Sequence, residues 1–303
     1  MSSRWRAEVY VALALLFAPL LACGRGIDLQ DFDFDLPGEP EKPRKPVKLD
    51  TNPTDDEDEP NKAPKAKPVP GAKKGAVDLG TAIYPAGVAT KGAIAFTFNV
   101  PPAHKLGYAL AADEAKAIDV FYDKFAKSVQ FKRVGAKAFQ WSPPPGCPAD
   151  MSCVYKKLIE RTRDDVRVLS KRFKARADAA KLDAVQLTDL ALSYVQEIPY
   201  KVPEDPFGLR PPPLVITKKE GDCDSKALLL YMILNDLGIE AVILSSKVHA
   251  HTMVGVPIPT AGTAFRWKNR KYAFVEVTAK GATIGWLPPD VSSPNDWTVE
   301  LAP

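Results

Sequence analysis

Four side chains in the last third of this sequence have the types needed for covalent acyl chemistry: the thiol of Cys223, the imidazoles of His249 and His251, and the carboxylate of Glu276. A sulfur nucleophile needs a base to take its proton, and the base needs an acid that fixes its tautomer and steadies the imidazolium. Cys223 follows Gly221-Asp222 and opens an apolar run, so it stands in the first turn of a helix, where unpaired backbone N–H groups favour thiolate. Alone, a cysteine at such a position reads as a small buried hydrophobe. The histidines and the acid that follow it give it a catalytic reading instead.

Several elements must hold these groups. Asp222 suits an N-cap, Leu228, Leu229, Met232, Ile233 and Leu237 make an apolar stripe, and Gly238 can end the helix in a left-handed turn. Strand-like runs follow at 239–245, 251–256 and 272–277. In the last of these Tyr272, Phe274 and Glu276 share a face, which carries a carboxylate into an otherwise apolar row. If the histidine strand lies beside it, Glu276 can accept from one imidazole nitrogen while the other faces Cys223. His249 and His251 are two apart and fall on the same side of a regular strand, so periodicity does not separate them. Upstream, the patterns predict a strand at 93–100, a helix at 112–130 and a long amphipathic helix at 153–180 whose basic face reads as solvated. Asp222 and Asp224 read as caps of the cysteine helix.

At these residues the sequence resembles the transglutaminase-like superfamily, in particular its bacterial members that look like papain-type cysteine proteases. The matching pieces are Tyr194-Val195-Gln196-Glu197-Ile198-Pro199-Tyr200, Gly221-Asp222-Cys223-Asp224, the run 251–256, and the run 274–279 followed by Ile284-Gly285. They span residues 187–289. The resemblance implies an α+β fold, a transglutaminase-like (papain-like) core in which the cysteine helix packs on an antiparallel sheet bearing histidine and acid. It implies thiolate attack on an amide, a thioester, and release to water or to an amine. It favours His251 over His249, since Met253 and Val256 match the family pattern; many relatives carry aspartate where Glu276 stands. Gln196 is a candidate oxyanion donor, because a side-chain amide can stabilise charge that develops in the transition state, and it also reads as a structural glutamine. A catalytically inactive binding or scaffold module of the same fold is the alternative. A metal site built from His249, His251 and Cys223 is weaker than the triad, and no cofactor or metal is implied.

The remainder of the chain bears on where such chemistry would act. Arg4 and Arg6 precede an apolar run from Val9 to Ala22, too short for a spanning helix of ~20 residues. Its end, Leu20-Leu21-Ala22-Cys23, resembles the lipobox of bacterial lipoproteins; a cleaved secretory signal is the alternative. Acylation of Cys23 would anchor the chain to a lipid membrane, each buried methylene contributing ~0.8 kcal/mol. Nine prolines lie between 37 and 70, around the acidic run 55–59, a composition that reads as a disordered tether. Cys147 and Cys153 flank a short proline-rich loop, and in an exported chain they read as a disulfide, with two free thiols as the alternative. Lys plus Arg is 41 against 37 Asp plus Glu, a formal charge of +4, which argues against a nucleic-acid partner. The expected organisation is an export signal at 1–22, a tether at 23–75, a strand and helical region at 76–180 and the catalytic core at 181–303. The expected setting is the bacterial cell envelope, facing the periplasm, with an amide of a protein or peptidoglycan peptide as substrate.

Overall fold

The computed structural model describes residues 75–90, 92–133, 139–203, 207–288, 291 and 293–303. The export signal, Cys23 and the acidic, proline-rich tether lie outside the described residues. Among the described residues, no helix is long and apolar enough to cross a membrane.

Strands β1 (Val77–Tyr84), β2 (Ile94–Phe98) and β3 (His104–Leu110) form a sheet in the order β1-β3-β2, with β1 parallel and β2 antiparallel to β3. Helix α1 (Ala112–Ser128) follows, then a two-stranded pair, β4 (Gln130–Arg133) and β5 (Phe139–Ser142). Next comes α2 (Met151–Ala180), thirty residues long. Asp150 caps its start by accepting from the Ser152 N–H, and Lys181 ends it in a left-handed conformation at φ 53°. Cys147 and Cys153 are joined, with Cα atoms 5.6 Å apart, pinning the proline loop to the first turn of α2.

Three helices then build up to the thiol. Helix α3 (Ala184–Gln196) starts in a reciprocal capping box between Asp183 and Gln186. Helix α4 (Pro212–Lys218) occupies what the sequence presents as a proline-rich loop. Prolines are tolerated in a first helical turn, where their missing N–H has no intrahelical role. Helix α5 (Cys223–Asp236) begins at the cysteine, and Gly238 at φ 76° closes it. The expected single stripe on α5 is too modest: Ala227 to Leu234 are buried all round, because α2, α3, α4 and strand β7 pack about the helix.

The last sheet is antiparallel throughout, in the order β10-β6-β7-β9-β8, from β6 (Val242–Ser246), β7 (His251–Val256), β8 (Ala264–Trp267), β9 (Arg270–Val275) and β10 (Thr298–Leu301). Its two faces do different things. Val254, Val256, Ala273 and Val275 join the main core, which runs through α5 and α2 to Phe98 and Tyr108 of the first sheet. Met253, Tyr272 and Phe274 face the other way and gather with Val242, Leu244, Leu287 and Trp297 in a smaller cluster. The fold is therefore α+β, with a helix carrying the thiol laid on an antiparallel sheet.

Candidate functional site

The start of α5 is fixed by local chemistry. Asp222 caps it, its Oδ1 accepting the Ser225 N–H at 2.9 Å. Gly221 pairs with Tyr200 in an isolated bridge and donates its N–H to Pro199 O at 3.2 Å. A Cβ at Gly221 would meet Val215 Cγ1 at 3.0 Å, so glycine lets the chain enter the helix against α4. Cys223 sits at this buried entrance, 9% exposed. Its sulfur accepts backbone N–H groups from Asp224 and from Thr252 of β7, and its S–H donates to Asp224 Oδ1 at 3.9 Å.

On the sheet, His251 is the first residue of the central strand β7. Its Nε2 lies 2.8 Å from Glu276 Oε2. Glu276 follows β9 directly and is 1% exposed; its Oε1 accepts the Thr278 N–H and hydroxyl, each at 2.5 Å. Burial by itself would raise this carboxyl, but the hydrogen bonds from His251 and Thr278 outweigh it and hold it below the ordinary carboxylate range. His249 stands apart from this pair. The turn before β7 contains Ala250 at φ 47°, which breaks strand alternation and sends the His249 ring to Asp296, 3.0 Å away. Trp297 borders both histidines, with ring centroids 6.1 Å from each.

Three sequence readings are refined or changed at this point. Gln196 is buried, and its amide is committed to backbone: Nε2 donates to Glu276 O at 2.8 Å and to Ala282 O at 3.0 Å, and Oε1 accepts the Gly281 N–H at 3.1 Å. Both of its N–H bonds are used, so it is a brace for the segment bearing Glu276 and not an oxyanion donor. The thiol, expected to be acidified by the helix start, is instead pushed up to about 12 by burial and by the charges of Asp224 and Asp222. Burial, joined by two carboxylates, outweighs the partial charge of the helix end. Asp224 is accordingly not a simple cap. It accepts from the Thr252 hydroxyl as well as the thiol, and burial pushes its carboxyl up to about 6.

His251 and Glu276 are thus brought together directly, while the sulfur is turned to Asp224 and to the backbone of Thr252, the residue after His251. Nε2 of His251 is occupied, so Nδ1 is the nitrogen left for a thiol proton. Sequence reasoning missed Thr252, Thr278 and Trp297, which shape the site through tertiary contact alone. Among the described residues no three His, Cys, Asp or Glu side chains form a group that could hold a metal. A cavity of about 620 Å³ between α1, the start of α2 and Pro144-Pro145 does not include Cys223. Comparison with family models, with curated proteins and with solved structures found no match for this chain.

Proposed function

We propose that this chain is a transglutaminase-like thiol enzyme of the bacterial cell envelope, anchored through acylated Cys23, that hydrolyses or transfers the acyl group of an amide in protein or peptidoglycan peptide. The observation that carries this reading is the 2.8 Å contact of the half-buried His251 with the buried Glu276, beside the helix start that bears Cys223. Glu276 fixes the imidazole with Nε2 inward and stabilises the cation formed when Nδ1 takes the thiol proton. The sulfur then bonds to the amide carbonyl carbon, the C–N bond breaks, and the proton on His251 passes to the leaving amine. A thioester remains. Water or a second amine attacks the thioester carbon, giving up a proton to the imidazole; the C–S bond breaks, the acid or new amide leaves, and the proton returns to the freed sulfur.

The elevated thiol makes this cycle depend on the imidazole. Without a nearby cation, burial and two carboxylates keep the proton on sulfur, so reactivity near neutrality requires transfer to His251 coupled to attack. The test is iodoacetamide alkylation of the full-length protein across pH, with Cys223 followed by peptide mass spectrometry. The enzyme reading expects reaction well below the ordinary thiol pKa of ~8.5 and its loss in His251→Ala. A second reading, a scaffold module with an inert thiol, is favoured by the hydrogen bond from the thiol to Asp224 and by its 9% exposure. It expects equally slow alkylation in both proteins, rising only in strong alkali.

A further inference from the structure

The cavity of about 620 Å³ between α1 and the start of α2 joins an aromatic floor to a basic rim. Its floor is Phe121 and Phe125 of α1, whose rings stack with centroids 5.5 Å apart. Pro144 and Pro145 form a wall, held there because the Cys147–Cys153 bond ties their loop to the first turn of α2. Lys124 of α1 and Lys157 and Arg161 of α2 line it with one acid, Glu160. Arg161 is engaged by Glu114 at 2.7 Å and lies over the Phe121 ring. Among the described residues no carboxylate pairs with Lys124 or Lys157. A space of this size holds a ligand. Aromatic-lined grooves dock proline-containing segments, and basic clusters dock acidic ones.

The chain supplies a segment with both features. Asp55-Asp56-Glu57-Asp58-Glu59 is a run of acids between Pro53 and Pro60, outside the described residues. We infer that the cavity is the docking site of this run, with proline on the Phe121 and Phe125 rings and carboxylates against Lys124 and Lys157. The reach fits. Val77 pairs with His104, which accepts from Arg176 near the far end of α2, so the chain enters β1 at the level of Arg176. From there to Lys157 is about 19 residues of helix, or ~28 Å. About 20 residues separate the acidic run from Val77, and a flexible chain of that length spans ~25 Å on average and ~60 Å extended. A link whose average length matches the span gives the highest effective concentration. Two cations of α2 nearer to Val77 are already engaged, Lys174 by Asp178 and Arg172 by the Thr81 carbonyl. With the run docked, only residues 24–52 separate the folded part from the anchor proposed at Cys23. The inference does not rest on the thiol chemistry.

The test is carbodiimide cross-linking of the full-length protein, which joins a carboxyl to a lysine amine in contact with it, read by peptide mass spectrometry. Lys171 and Lys181 are the controls: both are exposed and stand nearer to the level of Val77 than Lys157 does. The run 55–59 should link to Lys124 or Lys157 at least about 5-fold more than to either control, the excess that about 1 kcal/mol of docking gives. Equal links to all four lysines, or none to Lys124 and Lys157, overturn the assignment. Phe121→Ala keeps every lysine and should bring the two sets level; an unchanged preference shows that the floor takes no part and overturns the site. Should that variant not fold, a synthetic peptide of residues 53–60, added in excess to the unsubstituted protein, decides instead. It should lower the links to Lys124 and Lys157 and leave those to Lys171 as they were, and a peptide without effect overturns the site. The cross-linking is done on a mixture of ¹⁴N and ¹⁵N protein. Links within one isotope keep the run in its own chain, whereas isotopically mixed links put a second copy's run in the cavity and overturn the intramolecular docking.

Discussion

Two histidine–carboxylate pairs stand at the same end of the five-stranded sheet: His249 with Asp296 at 3.0 Å and His251 with Glu276 at 2.8 Å. Both rings lie against Trp297. The acids differ. The Asp296 side chain is 31% exposed, in a short turn at Pro294–Asp296, whereas that of Glu276 is 1% exposed and also accepts twice from Thr278. A solvated pair is screened and contributes little to stability, while a buried one is directional and costly to break. A histidine and a carboxylate thus give a half-exposed contact in one place and a contact to a buried acid in the other, and the backbone turn at Ala250 decides which histidine goes where.

The largest expected effect is on thiol reactivity. Replacing His251 with Ala should slow Cys223 alkylation at pH 7 at least about 100-fold, the size of a lost general base, because the thiol then titrates under burial and Asp224 alone. His249→Ala should change it less than about 3-fold, since that ring is engaged with Asp296. Equal effects of the two substitutions would erase the distinction drawn between the pairs. Stability should separate them as well. His251→Ala leaves Glu276 buried without its imidazole partner and should cost about 2–4 kcal/mol in denaturant unfolding. His249→Ala exposes an already wet carboxylate and should cost under about 1 kcal/mol.

How far this contrast was legible in the sequence depends on whether it was local. The α5 helix, its Asp222 cap and its Gly238 end follow from cap chemistry and spacing, and the strands β7 and β9 follow from alternation. The choice of His251 came from the family resemblance, because the premise that both histidines sit on a regular strand misses the turn that separates them. The sequence left Gln196 open between an oxyanion donor and a structural glutamine, since its three partners are backbone groups of residues 276, 281 and 282. Lys226 of α5 looks like a surface residue in an apolar run, and only tertiary packing, which seats its ammonium on Ile198 O at 2.8 Å, makes it buried. Helix α4 was hidden by its prolines, and β1 and β3 by the absence of a clear alternation.

Acid should separate Glu276 from the other buried carboxyls. Asp165, pushed up to about 7 mainly by burial and Glu114, and Asp189 and Asp224, both pushed up to about 6 mainly by burial, bind protons in the folded state before the unfolded chain does. With more protons on the folded state, stability rises as pH falls from about 7 toward about 4. Glu276 has the opposite sign: its carboxyl is held below the ordinary value of 4.5, so its contribution is present above that value and is lost as pH falls through the folded pKa. Denaturant midpoints should therefore peak in mild acid and then fall. Asp165→Asn, which removes a buried carboxyl whose Oδ1 has no partner, should flatten the rise from pH 7 to 5 by on the order of 1 kcal/mol. Glu276→Gln should remove part of the fall below pH 4.5 and leave that rise intact.

The smallest effect concerns salt. At about 0.1 M ionic strength charges in water are screened beyond about 10 Å, and exposed contacts weaken further as salt rises, whereas a pair sealed from solvent feels little of it. The small stability cost of Asp296→Asn, read from denaturant midpoints, should shrink by a few tenths of a kcal/mol between low salt and 0.5 M, as the contact of Asp296 with His249 is screened. The cost of Glu276→Gln should change less over the same range, because the Glu276 carboxylate is 1% exposed. A salt dependence for Glu276→Gln as large as that for Asp296→Asn would mean that solvent reaches the Glu276 carboxylate, and an acid so solvated would not suit the proposed role of orienting His251.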